Sequence, residues 1–208
     1  MTVLRLRECS TDQQSGVADL YESAFPPAER EPFGSILAGD QTDELSVLVL
    51  LDDDGGVQAL SVSSEISFPA IYLQYFAVDS SLRGKGIGTS FLTECLRTLR
   101  GQRNLGVVLE VERPASDPAD AYRPRRIEFW RKGGAMLLLD RFVVPRLSGE
   151  SGDIEMTLYW IPAAAADATL PDARHVAHLV LSEGYSLTEE VVAELFRRAG
   201  ERDSGGNA

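Results

Sequence analysis

The run Arg83-Gly84-Lys85-Gly86-Ile87-Gly88 constrains this chain more than any other stretch of it. Upstream, Ala70 to Val78 is an apolar, β-rich segment that reads as a strand. Downstream, Ile87, Phe91, Leu92, Cys95, Leu96 and Leu99 recur at helical spacing over Ile87 to Arg100. A strand that passes into an amphipathic helix through such a loop leaves the unpaired first N–H groups of the helix inside the loop. The helix dipole adds partial positive charge there. Glycine lets an anion approach the backbone closely, and Arg83 and Lys85 add full charges. The combination predicts a pyrophosphate site. Two commoner phosphate loops do not fit. A P-loop ends in Gly-Lys-Ser/Thr after four intervening residues, and this loop has no such ending. A dinucleotide fingerprint needs G-x-G-x-x-G, but Thr89 occupies the sixth place counted from Gly84. The loop also follows several antiparallel-looking strands instead of opening a βαβ unit.

The flanking elements can be read by period. Val3 to Glu8 alternates as an opening strand, and Ser10 or Thr11 caps a helix carrying Val17, Leu20, Tyr21 and Ala24. Pro26-Pro27 ends it. A short second helix is expected from near Pro32 to Gly39. Leu45 to Leu51 and Val57 to Ser64 form a hairpin across Asp52-Asp53-Asp54-Gly55-Gly56, a turn that lacks the alternating ligands and distal glutamate of a calcium loop. Gly106 to Glu112 is a strand, entered after a helix-ending Gly101. Arg113 to Ala121 is a loop, and Pro124 to Lys132 a helix closed by Gly133-Gly134. Met136 to Val144 and Asp153 to Trp160 pair across the turn Ser148 to Gly152. Pro162 to Asp167 reads as an alanine-rich linker, Val176 to Leu181 and Thr188 to Arg198 as short helices, and residues 201–208 as a disordered tail.

Bulk properties narrow the functional classes. The net charge of −12 opposes a nucleic-acid partner and suits a neutral or cationic acceptor. No apolar run approaches the roughly 20 residues needed to cross a bilayer, and the N-terminus does not read as a signal peptide, so a cytoplasmic protein with no membrane association is expected. Cys9 and Cys95 form no CxxC pair and read as reduced thiols. No His, Cys or Asp cluster has metal spacing, so no metal is expected.

The order Arg83-x-x-Gly86-x-Gly88, after an aromatic-rich strand and before a helix, resembles the GCN5-related N-acetyltransferase (GNAT) family, most sharply over Tyr75 to Leu92. In element order the resemblance covers residues 1–161. It implies an α/β (α+β) GNAT fold, with a central mixed, mostly antiparallel sheet of about seven strands flanked by helices. Residues 1–161 would form the acyltransferase domain and 162–200 a helical C-terminal extension packed on it. The implied activity is acetyl transfer from acetyl-CoA, as cosubstrate, to a primary amine of a small molecule or peptide. The alternative is an acyl-CoA-binding domain that senses or binds a partner with little catalysis. A homodimer supported by the extension is left open.

Site residues follow from the same resemblance. The amides around Arg83, Gly84, Lys85, Gly86, Ile87, Gly88 and Thr89 would bind the pyrophosphate of coenzyme A. The backbone of Phe76, Ala77 and Val78 would pair with its pantetheine arm, with Arg126 reaching a phosphate. Direct transfer needs a base for the amine proton. Glu110 and Glu112 lie two apart on one strand and so share a face. Leu109-Glu110-Val111 resembles the family segment that carries a base or an acceptor contact, which makes Glu110 the first candidate and Glu112 the second. The family's donor tyrosine falls in Ile127 to Gly134, where Trp130 replaces it. Tryptophan is no acid at ordinary pH, so Trp130 is expected to pack against the cofactor arm. Tyr72 is the nearest substitute, as a core residue or a lining residue of the acceptor pocket. Phe25 to Leu37 and Phe142 to Trp160 are expected to shape that pocket.

Overall fold

A computed structural model describes residues 1–67, 70–100, 106–113, 122–147, 152–163 and 169–204. Gly101, most of the loop expected over 113–121, residues 148–151 of the second hairpin turn and residues 164–167 of the linker lie outside the described residues, as do 205–208.

Seven strands, β1 (Thr2–Arg5), β2 (Ser46–Leu51), β3 (Val57–Ile66), β4 (Ala70–Val78), β5 (Gly106–Glu112), β6 (Met136–Pro145) and β7 (Asp153–Pro162), form one open mixed sheet in the order β1-β2-β3-β4-β5-β7-β6. Among the described residues six α-helices flank it: α1 (Thr11–Ala24), α2 (Phe33–Gln41), α3 (Ile87–Arg100), α4 (Tyr122–Lys132), α5 (Ala173–Leu179) and α6 (Glu189–Ser204). This is the α/β sheet architecture expected of the sequence. The chain divides into two units, one of residues 1–65, 73–104 and 147–150, the other of 66–72, 105–146 and 151–208.

In the first unit, α1 starts where a capping box forms. Ser10 Oγ accepts from the Gln13 N–H, and Gln13 Oε1 accepts from the Ser10 N–H. Val17, Leu20 and Tyr21 of α1 pack with Ile36 of α2 and the inward residues Val47, Val49, Leu51, Leu60, Val62, Tyr75 and Ala77 of β2 to β4. The alternate residues Leu48, Leu50 and Ala59 join Phe91 and Cys95 of α3, the period-2 division of a sheet covered on both faces.

Two expectations are corrected here. The opening strand stops at Arg5, and Leu6–Glu8 form a 3-10 turn. The Glu8 carboxylate accepts from the Arg5 N–H and Asp40 Oδ2 from the Arg7 N–H, while Leu6 is fully buried. These side-chain bonds, one local and one from helix α2, replace the ladder that alternation alone predicted. Helix α2 also runs past Gly39 to Gln41. Gly39 is there for close approach, since a Cβ on it would lie 2.7 Å from Leu45 side-chain carbons.

The second unit is centred on β5, β7 and β6, with β5–β7 and β6–β7 antiparallel. Its core joins Val108, Phe142, Leu158 and Trp160 to Val176, Val180, Leu181, Val192 and Leu195. The residues beyond Pro162 therefore contribute buried side chains to this core. The first residue of β5 is a glycine because Trp160 packs over it: a Cβ on Gly106 would sit 2.5 Å from the Ile161 carbonyl oxygen and from the Trp160 ring. Helix α5 begins where Asp172 Oδ1 accepts from the His175 N–H. It passes directly into a π-helical turn, Val180–Gly184, closed by the Tyr185 N–H donating to the Val180 carbonyl. Helix α6 continues to Ser204, beyond Arg198 and into the segment expected to be disordered.

Candidate active site

The glycine loop is built in the first unit. Strand β4 ends at Val78, and the Asp79 N–H is held by the Gln58 carbonyl at 2.9 Å. Asp79 Oδ1 then accepts from the Ser81 N–H at 2.8 Å and from its hydroxyl at 2.6 Å, which shapes the 3-10 turn Ser80–Leu82. These bonds hold the Asp79 carboxyl below its ordinary range. The Arg83 Nε donates to the Val78 carbonyl at 3.4 Å. Gly84 and Gly86 then take φ of +77° and +84°, a region that disfavours every side chain. A Cβ at either would meet no atom of the described residues within 4 Å. The requirement for glycine here is thus conformational, and the space over the backbone is open. Arg83, Gly84, Lys85, Gly86 and Thr89 are exposed, and Ile87 and Gly88 partly so. Helix α3 begins at Ile87, so its first N–H groups lie beside the two left-handed glycines. Those amides, with the exposed Arg83 and Lys85, present N–H donors and positive charge to which an anionic group can bind.

On β4 of the same unit, Tyr75 and Ala77 face the α1 and α2 core, whereas Phe76 and Val78 face α3. Phe76 stacks on Phe91 with ring centroids 5.4 Å apart. Tyr75 also secures the segment expected to shape an acceptor pocket. Its hydroxyl accepts from the Glu31 N–H at 3.2 Å, and Tyr21 donates to the Glu31 carbonyl at 3.1 Å.

The second unit holds the candidate base. Glu110 lies on β5 opposite Leu158 of β7, between the buried Leu109 and Val111. Its Oε1 accepts from the Tyr72 hydroxyl at 2.9 Å and also from the Tyr185 hydroxyl. Its Oε2 is buried and has no hydrogen-bond partner among the described residues. Burial raises the Glu110 carboxyl to about 7, the two tyrosine hydrogen bonds pulling the other way. Tyr72 is buried, and burial together with the neighbouring carboxylate pushes its hydroxyl well above its usual range. Tyr72 is therefore a hydrogen-bond donor to Glu110 and a weak acid.

The remaining candidates lie apart from this cluster or on its margin. Glu112 is half-buried two residues along β5, opposite Met156. Arg113 meets Asp140 at 2.8 Å. Trp130 is buried, edge-on to Phe129 with centroids 4.9 Å apart, and Arg126 is exposed on α4. Cys95 is buried against Ser61, and burial raises its thiol to about 12, which suits a packing role. The described residues contain no group of three His, Cys, Asp or Glu side chains suited to a metal. None of their helices is long and apolar enough to cross a membrane.

Sequence reasoning missed Tyr185. It lies 75 residues from Glu110, between the helices expected over Val176 to Leu181 and Thr188 to Arg198. The one available signal was an aromatic residue directly after a glycine in a turn, Glu183-Gly184-Tyr185, which says nothing about a partner.

The sequence profile of the acetyltransferase (GNAT) family matches residues 15–134, which include the whole glycine loop and Glu110. The chain belongs to the GNAT acetyltransferase family. Solved structures share the fold. A GNAT-family protein from Bacteroides thetaiotaomicron has a TM-score of 0.70 at 20% identity, over 90% of this chain and 100% of that one. An aminoglycoside 6'-N-acetyltransferase in complex with coenzyme A has a TM-score of 0.62 at 14% identity, over 79% and 98%. The ribosomal-protein-S18-alanine N-acetyltransferase from Escherichia coli has a TM-score of 0.54 at 17% identity, over 82% and 98%. No curated protein matches the chain.

Proposed function

We propose that this GNAT protein transfers an acetyl group from acetyl-CoA to a primary amine of a small molecule or peptide by direct attack, with Glu110 as general base. The observation that carries the reading is the environment of Glu110: a buried carboxyl with one oxygen doubly hydrogen-bonded, the other unpartnered, and a proton affinity near neutrality. A base is most useful when it titrates near the working pH. An ammonium group must lose a proton before its nitrogen can attack, and Glu110 Oε2 is the atom that accepts it. Bound acetyl-CoA would supply the thioester carbonyl and the thiolate leaving group. Gly84, Gly86 and the first amides of α3 would hold its pyrophosphate, assisted by Arg83 and Lys85. The strand backbone at Phe76, Ala77 and Val78 would align its pantetheine arm, and the exposed Arg126 is available to a phosphate. The acidic chain favours a cationic acceptor, which accords with an amine.

One observation favours a second reading, an acyl-CoA-binding domain with little catalysis. Trp130, at the place of the family's donor tyrosine, is buried and is no acid at ordinary pH. An assay of thiol release from acetyl-CoA across a panel of small amines and N-terminal peptides separates the two. Turnover with at least one amine, lost in Glu110→Gln, supports the transferase. Tight calorimetric binding of acetyl-CoA with no turnover across the panel replaces it by the second reading.

A further inference from the structure

Two successive residues after α5, Gly184 and Tyr185, meet the Glu110 cluster within the second unit, and Glu183 just before them ties the segment to Ser67. Glu183 Oε2 accepts from the Ser67 N–H at 2.7 Å. Gly184 lies against the Tyr72 ring so closely that a Cβ would come within 2.5 Å of Tyr72 Cε1. Tyr185 donates its hydroxyl to Glu110 Oε1. The backbone here departs from an α-helix. The Tyr185 N–H reaches back five residues to Val180, and Ser186 takes a φ of +54°. A π-turn inserts one residue into a helical turn and so redirects the side chains that follow it. Here it brings Gly184 over one tyrosine and directs the next tyrosine to the carboxylate.

We infer that Tyr185 is a positioning residue for acetyl transfer: with Tyr72 it occupies Oε1 of Glu110, leaving Oε2 as the atom that takes the acceptor's proton. The inference rests on the reading of Glu110 as base. One proton moves, from the amine nitrogen to Oε2, and both tyrosines keep theirs. Among the described residues, the groups facing the carboxylate are Tyr72 from β4, Tyr185 from the π-turn and the apolar Leu158 from β7, with Glu112 further along β5 itself. Two O–H donors stabilise the ionised form and oppose the effect of burial. They also fix the rotation of the carboxyl group, so that the basic lone pairs keep one direction. The segment beyond Pro162 thereby becomes part of the catalytic apparatus as well as of the core.

The test is the titration of the Glu110 carboxyl by carbon NMR in the full chain, which needs no acceptor and no turnover. In Tyr185→Phe, which keeps the ring and loses the donor, the midpoint rises by about half a pH unit or more, roughly a threefold gain in proton affinity. With 3-fluorotyrosine at position 185, a stronger donor of nearly the same shape, the midpoint falls. The fluorinated protein keeps the test open if the phenylalanine variant does not fold. A midpoint unmoved by either change overturns the inference. With an accepted amine, the acid limb of kcat/KM in Tyr185→Phe moves to higher pH with the NMR midpoint, and wild-type rate returns at high pH. An NMR shift with no change in that limb would show that Tyr185 tunes Glu110 while Glu110 is not the base, so the failure lies in the proposed function.

Discussion

Replacing Glu110 by glutamine should stabilise the protein, and by an amount that depends on pH. The wild-type carboxyl has a folded-state value of about 7 against an ordinary value of 4.5. A raised value means that the folded chain binds the proton more tightly than the unfolded chain. Its contribution to stability is thus fully present below about 4.5 and is lost as pH rises to about 7. Integrating proton release between pH 5 and pH 8 with these two values gives a loss of about 2.5 kcal/mol, an upper figure because water and side-chain relaxation ease the burial of a charge. The amide introduced by Glu110→Gln has no charge to bury and retains an oxygen for Tyr72 and Tyr185. Denaturant unfolding of both proteins at pH 5 and pH 8 measures the effect. The advantage of Glu110→Gln over wild type should grow by about 2 kcal/mol between the two pH values, roughly 4–8 °C in Tm for a chain of this length. A difference that is flat with pH would refute the reasoning, because it would mean that Glu110 ionises in the folded protein as freely as in the unfolded one.

Two further outcomes test other parts of the account. Gly86→Val places a branched side chain at φ +84° and fills the open space over the loop, so acetyl-CoA affinity measured by calorimetry should fall tenfold or more in a folded variant; unchanged affinity would separate the loop from the cosubstrate. Asp40→Ala removes the acceptor of the Arg7 and Val47 N–H groups and the partner of Arg5, at a fully buried position, and should cost about 3 kcal/mol or more in thermal or denaturant unfolding.

What could be read from the sequence follows the range of the interactions. The limits of β4, α3 and β5 were legible because each depends on a local pattern: apolar alternation or continuity, helical spacing, and glycines at the junctions. The glycine loop belongs to the same class, since strand, loop and helix N-terminus are contiguous. Glu110 was legible in part. A lone carboxylate among Val107, Val108, Leu109 and Val111 signals burial, but its tyrosine partners come from 38 and 75 residues away. Asp40 carries no local mark of its burial, because the N–H groups it satisfies belong to Arg7 and Val47. Gly39 reads as a helix stop because the side chain it makes room for, Leu45, lies beyond the helix end. The break of β1 at Arg5 has the same origin: the bonds that end it come from Glu8 and Asp40, and alternation carries no trace of the second.

Central to the account is a carboxylate that must lose its proton before the amine can lose its own. The most direct measurement is the pH dependence of kcat/KM for acetyl transfer to an accepted amine, in wild type and Glu110→Gln. Wild type should show an acid limb with a midpoint near 7, falling tenfold for each pH unit below it. Glu110→Gln should be slower by about 100-fold or more at pH 7.5 and should lack that limb, while binding acetyl-CoA as wild type does. A Glu110→Gln variant that keeps both the wild-type rate and the wild-type limb would contradict the account.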